Sequence, residues 1–596
     1  MNLLAEIWSI LTPRQRRFVL VAQGVSLVMA FSTVTGIAAI APFFAVLGEP
    51  QLIDHQRFLH WAYVHGDFSS KRSFVLALGS SFIGVVLIVN LINATGSLAM
   101  NRLAVWIGNE LQTTLYAEYM RRPYRFHTVT NSATLFNNVV YETARTANGI
   151  LQTVFLLITN VVTAFCIILS ILLLNPAVCL AMLIGLGGGY VLIYLGARNR
   201  LLRSGQAQSR FSTEQARIVN ESFGAIREII LLQVQDFFRG SFERASRAVS
   251  LAAAHSQAIG QSPRHIMECV AVAGLVGLAL VLGGREDGIG PWLGQLTFLA
   301  FAVYRLLPTL QQVYAALVRI RADRPGLALI APDLRLARVR KAVAAPVSAW
   351  HDRPRQEVRL ADVSFRYTPE RPWAVNGVSL SIPARATVAI VGANGSGKTT
   401  LVDLIAGLLE PASGRVEVDG VELSDANRAA WQSRIAYVPQ SVFLLDASIA
   451  QNIALGVAPS DIDRHRLLAA ARMVQLDSLI KTLPGEFDHV VGERGIRLSG
   501  GQRQRIGIAR ALYRDTSVLI LDEATNALDG LTEQELMATL DCLRGRYTIV
   551  LIAHRLSAVR ACDVIFELES GELTGRGSCD ELLERSAAFR RMAGAR

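Results

Sequence analysis

Lysine is nearly missing from this chain: of 59 basic residues, only Lys71, Lys341, Lys398 and Lys481 are lysine. A GC-rich genome produces such a bias, so it carries functional weight only where a lysine survives. Charge as a whole is scarce too. Charged residues make up 18% of the 596 positions against 51% hydrophobic ones, and the mean hydropathy is positive. That balance is unusual for a soluble protein and suits one that buries part of its surface in lipid. The six cysteines show no metal-like or paired spacing, which argues against a disulfide framework or a cysteine-built metal site. Cys166, Cys179 and Cys269 lie in apolar segments and read as small buried hydrophobes. No cleavable signal peptide is expected, because the apolar run after Arg14, Arg16 and Arg17 is too long for one. The net charge of +11 fits nucleic acid, anionic lipid or an anionic substrate equally well.

What the first half has in quantity is uncharged sequence of bilayer length. Such runs cover 18–48 and 73–101, and 146–197 is uncharged for 52 residues, with Asn175-Pro176 as a turn near its middle. Two more apolar stretches follow, 266–284 with Glu268 as its one charge and 288 to about 318 with Arg305 as its one charge. Six crossings result. The segment 102–145 carries five arginines and 198–265 carries ten, whereas the turn at 175–176 carries none and 285–287 one. The positive-inside rule puts both long loops and both termini in the cytoplasm. The loops have helical periodicity and read as extensions of the membrane helices. Leu3, Leu4, Ile7, Trp8 and Leu11 lie at helical spacing, as an interfacial helix requires. The external segment 49–72, with Trp61 and Tyr63, is a second interfacial candidate.

Pro325, Pro332, Pro346 and Pro354 mark a linker. The organisation expected is a membrane domain over 1–325, a linker over 326–356 and a soluble α/β domain over 357–596. In the last, 358–367, 378–382 and 386–391 read as strands, and the third runs directly into glycines.

Those glycines begin Gly392-Ala393-Asn394-Gly395-Ser396-Gly397-Lys398-Thr399, followed by Thr400. The run fits the phosphate-binding loop G-x-x-x-x-G-K-[ST], with a buried strand before it and a helical run after it. Backbone N–H groups would turn inward around phosphates, Lys398 would reach the β- and γ-phosphates, and Thr399 would coordinate Mg²⁺. Further on, four apolar residues deliver Asp522 and Glu523 at a strand end. Asp522 would hold Mg²⁺ and Glu523 would polarise the attacking water.

Between these two motifs lies Leu498-Ser499-Gly500-Gly501-Gln502-Arg503, which resembles the signature of ATP-binding-cassette proteins. Other landmarks of that family then fall into order over 358–590. Tyr367 resembles the aromatic that stacks on adenine. Gln440 resembles the glutamine that senses Mg²⁺ and couples to the membrane domain. Residues 491–495 resemble the exporter segment that touches membrane-domain loops. Asn526-Ala527-Leu528-Asp529 resembles the D-loop, with Asn526 where the family usually carries Ser, and His554 resembles the γ-phosphate switch histidine. The resemblance implies a head-to-tail dimer with two ATPs at its interface, each between one subunit's phosphate loop and the other's Ser499-Gly500-Gly501. With one cassette and six crossings the chain is half a transporter. A homodimer in a bacterial inner membrane, with no nucleic-acid partner, is the expected assembly. The fold class implied is an all-α six-helix transmembrane domain plus an α/β P-loop nucleotide-binding domain.

Only the membrane half can speak about cargo. Arg305, after an uncharged run, either faces protein and a water-filled cavity or snorkels to the interface. Arg264 and Glu268 form either a local ion pair or part of a cavity lining. The segments 304–308, 262–268 and 220–228 resemble bacterial lipid-linked oligosaccharide flippases, half-size exporters with an arginine-lined cavity for a pyrophosphate-linked glycan. That resemblance makes Arg305 and Arg264 substrate candidates, for a lipid-linked oligosaccharide first and for a drug, lipid A-type lipid or peptide second.

Overall fold

The computed structural model describes residues 3–39, 43, 46, 53, 57–66, 68, 70–174, 176–283, 293–342, 354–522, 530–553 and 555–592. The chain divides into two compact units. One comprises Met1–Arg122 and Val129–Val343, and the other Pro123–Thr128 and Ala344–Arg596.

The described part of the first unit is helical throughout. A short helix, Leu3–Ile10, precedes Pro13–Ala38, and Lys71–Met120 runs for 50 residues without a break. Helical runs then cover 132–174 and 176–224, and Gln235–Gln261 leads into Pro263–Gly283 before the final Leu293–Ala342. Among the described residues, Pro13–Gly36, Lys71–Met120 and Ser132–Leu173 are long and apolar enough to cross a membrane. Asn175 and 284–292 lie outside the described residues, as does most of 40–56. Leu20, Val21, Leu87, Leu91, Leu173 and Leu192 are exposed along these helices. Water would penalise such a surface, whereas lipid does not.

The linker expected over 326–356 is helical as far as Ala342, through Pro325 and Pro332, and the two units part at 343/344. Packing outweighs the lost N–H groups. Leu327, Ile330, Ala331 and Leu334 recur at helical spacing and are buried. Asp333 accepts from Arg122 Nη2 at 2.6 Å and from the Tyr119 hydroxyl at 2.9 Å. One turn before the first buried leucine, Asp323 accepts from Arg145 Nε at 2.7 Å. Gly205 lets this helix come close, since a Cβ there would collide with the Ala322 carbonyl oxygen. A proline inside a helix costs about 3 kcal/mol, and buried contacts of this number exceed that.

The cassette unit has two sheets. An antiparallel one, in the order β2-β1-β4-β5, is built from β1 (Glu357–Phe365), β2 (Val375–Pro383), β4 (Ser413–Val418) and β5 (Val421–Glu422). The other has the order β10-β9-β3-β8-β7-β6, from β3 (Thr387–Val391), β6 (Ile435–Val438), β7 (Val518–Asp522), β8 (Thr548–Ile552), β9 (Val564–Glu569) and β10 (Glu572–Gly577). β3, β7 and β8 are buried at every position, as strands covered on both faces must be.

Candidate nucleotide site

The site is built where parallel strands end together. Asp522 stands opposite Ile552, Ile390 opposite Ile552, and Val438 opposite Leu521. The loop after β3, the acid closing β7 and Gln440, two residues beyond β6, therefore share one edge of the sheet, where ligands bind in such folds. In sequence, Glu523 follows β7 and His554 comes two residues after β8. Both, with Asp529, lie outside the described residues.

The loop itself is a glycine cradle. Gly395 and Gly397 take φ of +80° and +98°, and a Cβ on Gly397 would collide with the Ala374 carbonyl oxygen. Helix Lys398–Ile405 begins directly after Gly397, so its first N–H groups lie beside the loop. Lys398 is buried and donates through Nζ to the carbonyls of Gly392 at 3.0 Å and Ala393 at 2.9 Å. The buried Ser396 Oγ has no hydrogen-bond partner among the described residues. A buried hydroxyl without a partner, in a cradle next to a lysine and a helix N-terminus, fits a bound phosphate chain. Asn394 and Thr399 are exposed, while Thr400 is buried. The half-buried Tyr367 shares a 3.1 Å hydrogen bond between its hydroxyl and Thr400 Oγ1, and its ring meets Phe365 edge-on.

Asp522 is buried and accepts from the Tyr437 hydroxyl at 2.8 Å. Burial, then the Asp522 charge, pushes that phenol well above its ordinary value. Ser499 caps helix Gly500–Tyr513. Its Oγ accepts from the Gln502 N–H at 3.3 Å, while Gln502 Oε1 accepts from the Ser499 N–H at 2.9 Å. The Gln502 side chain thus turns back on its own helix start, as a capping box does.

Two features beside the nucleotide site were missed in the sequence. The first is the short helix Tyr124–Val129, inside a segment read as a helical extension. Residues 123–128 belong to the cassette unit, and Arg125 Nη2 donates to the Tyr367 carbonyl at 2.8 Å. Burial, then Asp403 and Tyr367, pushes the Tyr124 phenol up. Arg121-Arg122-Pro123, a basic pair ending in a helix breaker, was the available signal.

The second is Asp403, a buried acid in the helix after the loop. Burial, then the Asp522 charge, raises its carboxyl from 3.8 to about 6. A raised carboxyl favours the neutral form in the fold. Its stability is fully present below the unfolded value and is lost as pH rises through about 6. Asp403→Asn should therefore stabilise the cassette at neutral pH by about 1–3 kcal/mol. Thermal unfolding in metal-free buffer checks this, and the gain should shrink steadily from about pH 7 to 5. A gain independent of pH would mean packing, not charge.

Comparison with known proteins agrees with this geometry. Residues 375–526 match the family model described as ABC transporter, and 53–285 match the ABC transporter transmembrane region. The ATP-dependent lipid A-core flippase of Ralstonia nicotianae is 30% identical over 80% of both chains. The chain belongs to the ABC transporter family. The protein of the same description from Polaromonas sp. is 32% identical over 77% of each chain, and that of Cupriavidus metallidurans is 27% identical over 98% of this chain and 95% of its own. A bacterial Atm1-family ABC exporter with ATP bound shares the fold, with a TM-score of 0.76, 22% identity and 97% of each chain covered. This ABC transporter is an ATPase coupled to membrane transport.

In its membrane unit the two substrate candidates part. Arg264 Nε donates to Glu268 Oε1 at 2.7 Å, so the local ion pair is the arrangement present. Arg305 lies in helix Leu293–Ala342, between exposed Tyr304 and buried Leu306, and its side chain lies outside the described ones. Close by in sequence is a polar cluster that sequence reading missed. The Tyr190 hydroxyl donates to Gln311 Oε1 at 2.8 Å, Gln311 Nε2 to the Gly260 carbonyl at 2.9 Å, and the Tyr314 hydroxyl to the Ile259 carbonyl at 3.0 Å.

Proposed function

We propose that this ABC transporter is a homodimer of the bacterial inner membrane, with both termini cytoplasmic, that uses Mg²⁺-ATP to flip a phosphorylated glycolipid from the cytoplasmic leaflet. The observation carrying the nucleotide half is the convergence of the phosphate loop, Asp522 and Gln440 at one sheet edge. Lys398 and the loop N–H groups bind and orient the phosphates, Thr400 and Tyr367 flank them, and the Tyr367 ring carries the adenine. Thr399, Asp522 and Gln440 would hold Mg²⁺, which supplies neutralisation of charge on the phosphate oxygens. Glu523 polarises the water and His554 senses the γ-phosphate. Ser499, Gly500, Gly501, Gln502 and Asp529 of a second copy close the site.

Two exposed apolar patches support a second copy. Ile226, Ile230, Leu231 and Leu232 cluster at a helix turn of the membrane unit, and Phe443, Leu445, Val490 and Ile496 lie on the cassette. Exposed apolar clusters of this kind mark interaction surfaces.

The lipid A-core relatives support a large phosphorylated glycolipid as cargo. The lipid-linked oligosaccharide reading rests on the segment around Arg305 and on helix Arg57–His65, which lies between the first two crossings. Both cargoes bring phosphate into a membrane-level cavity, where an unpaired anion is costly and arginine's fork suits it. Arg305→Ala should lower flipping and lipid-stimulated hydrolysis about 10- to 100-fold, the loss of one or two charged hydrogen bonds. Liposomes containing lipid A-core or a polyprenyl-pyrophosphate oligosaccharide separate the two cargoes by which one stimulates hydrolysis. Stimulation by drugs or peptides alone would overturn the glycolipid reading.

A further inference from the structure

The cassette holds a half-buried cation that the nucleotide chemistry does not use. Arg510, in the last turn of helix Gly500–Tyr513, donates through Nε to the Asn452 carbonyl at 2.8 Å and through Nη2 to the Phe443 carbonyl at 3.1 Å. Burial, then the neighbouring Arg514, holds its guanidinium below the ordinary value. Both of these acceptors are main-chain carbonyls. A partly desolvated cation held only by neutral carbonyls is a poor source of stability. What the arginine supplies is geometry: one planar fork fixes two separate stretches of backbone to one helix.

The stretches it fixes are particular ones. Phe443 and Leu445 are 61% and 43% exposed, whereas Leu444 between them is fully buried. Under Leu444 lies Gly495, where a Cβ would come within 2.7 Å of its Cδ1. Leu445 is gripped on both sides by the buried Asn452, whose Oδ1 accepts its N–H at 2.9 Å and whose Nδ2 donates to its carbonyl at 3.0 Å. Just beyond, Ile449 N–H donates to the His489 carbonyl at 3.0 Å and Val491 N–H to the Ala447 carbonyl at 3.2 Å. The segment 489–498 then leads into Ser499. An exposed apolar tip is therefore linked to both ends of the signature helix, at Ser499 through the hydrogen-bonded segment 489–491 and the chain that continues from it, and at its last turn by Arg510. Gln440 lies three residues before the tip.

We propose that Arg510 is a positioning residue that makes the signature segment move together with the Phe443–Leu445 tip, so that displacement of the tip sets the reach of Ser499-Gly500-Gly501 toward the ATP of the second copy. This rests on the signature contact across the dimer proposed above. ATP affinity belongs to the phosphate loop on β3, whereas turnover needs the signature in place. Loss of the link should therefore lower kcat and spare ATP binding.

The test uses full-length protein reconstituted in phosphatidylethanolamine–phosphatidylglycerol vesicles and compares Arg510→Met, Arg510→Lys and Ser499→Arg. Arg510→Met should keep its thermal midpoint in detergent and its ATP Kd within about twofold, while kcat falls about tenfold or more. Arg510→Lys, which keeps the charge but lacks the planar fork, should recover part of kcat. Wild-type kcat in Arg510→Met, alongside loss of turnover in Ser499→Arg, would overturn the link and leave the signature contact standing. A fall in kcat matched by a weaker Kd and a lower midpoint, without rescue by lysine, would overturn it in favour of a purely structural arginine. Normal turnover in Ser499→Arg would instead overturn the signature contact on which the proposal stands.

Discussion

Glu523→Gln should bind ATP with near wild-type affinity and hydrolyse it at least 10²- to 10⁴-fold more slowly, the usual worth of a positioned base. The acid follows Asp522 at the end of a fully buried strand, so the amide keeps the size and hydrogen-bonding reach of the side chain. What it loses is the carboxylate that draws the proton from the attacking water. With the γ-phosphate intact, the nucleotide should hold the proposed dimer closed, and the variant should run as a closed dimer on size exclusion in the presence of ATP. Phosphate release measured in detergent and in lipid checks the rate. Near-normal turnover in both would remove Glu523 from the mechanism.

Ser499→Arg should have an effect of similar size by a different route. A bulky cation at the helix start would obstruct the proposed contact with the phosphates of the second copy's nucleotide, and removing one such preorganised contact costs roughly 10²- to 10³-fold in turnover. The structure adds a second consequence. Ser499 is the N-cap of helix Gly500–Tyr513 and bonds reciprocally with Gln502, so its loss also costs about 1 kcal/mol of local stability. That is too little to unfold the cassette. The variant should therefore be folded, bind ATP and be inactive, and it should purify without a stoichiometric second cassette subunit. A second subunit co-purifying with the wild type would overturn the homodimer.

The chemistry of the nucleotide site was legible because it is local in sequence. Six consecutive residues from Gly392 form the cradle, and strand β7 announces Asp522 by its unbroken apolar run. Elements that depend on distant packing were not. Pro325 and Pro332 look like linker residues until Asp333 is seen to be held by Tyr119 and Arg122, more than 200 positions away. Asp403 is one acid in an apolar helix, and nothing beside it in sequence shows that it faces Asp522. Arg510 sits in a helix rich in arginine, where only the carbonyls of Phe443 and Asn452 set it apart.

Residues 123–128 lie in the cassette's compact unit although they are synthesised long before it, with Arg125 and Tyr367 separated by 242 positions. Ribosomes deliver some 5–20 residues per second, so this short helix exists for about 10–50 s before its acceptor does. A gene fragment beginning at 344 thus lacks part of the cassette's compact unit, and the Tyr367 carbonyl loses its Arg125 donor. In the whole chain, that carbonyl meets a donor already joined to the membrane helix that precedes it. Completion of the cassette's compact unit in this way draws on a segment made with the membrane half of the chain.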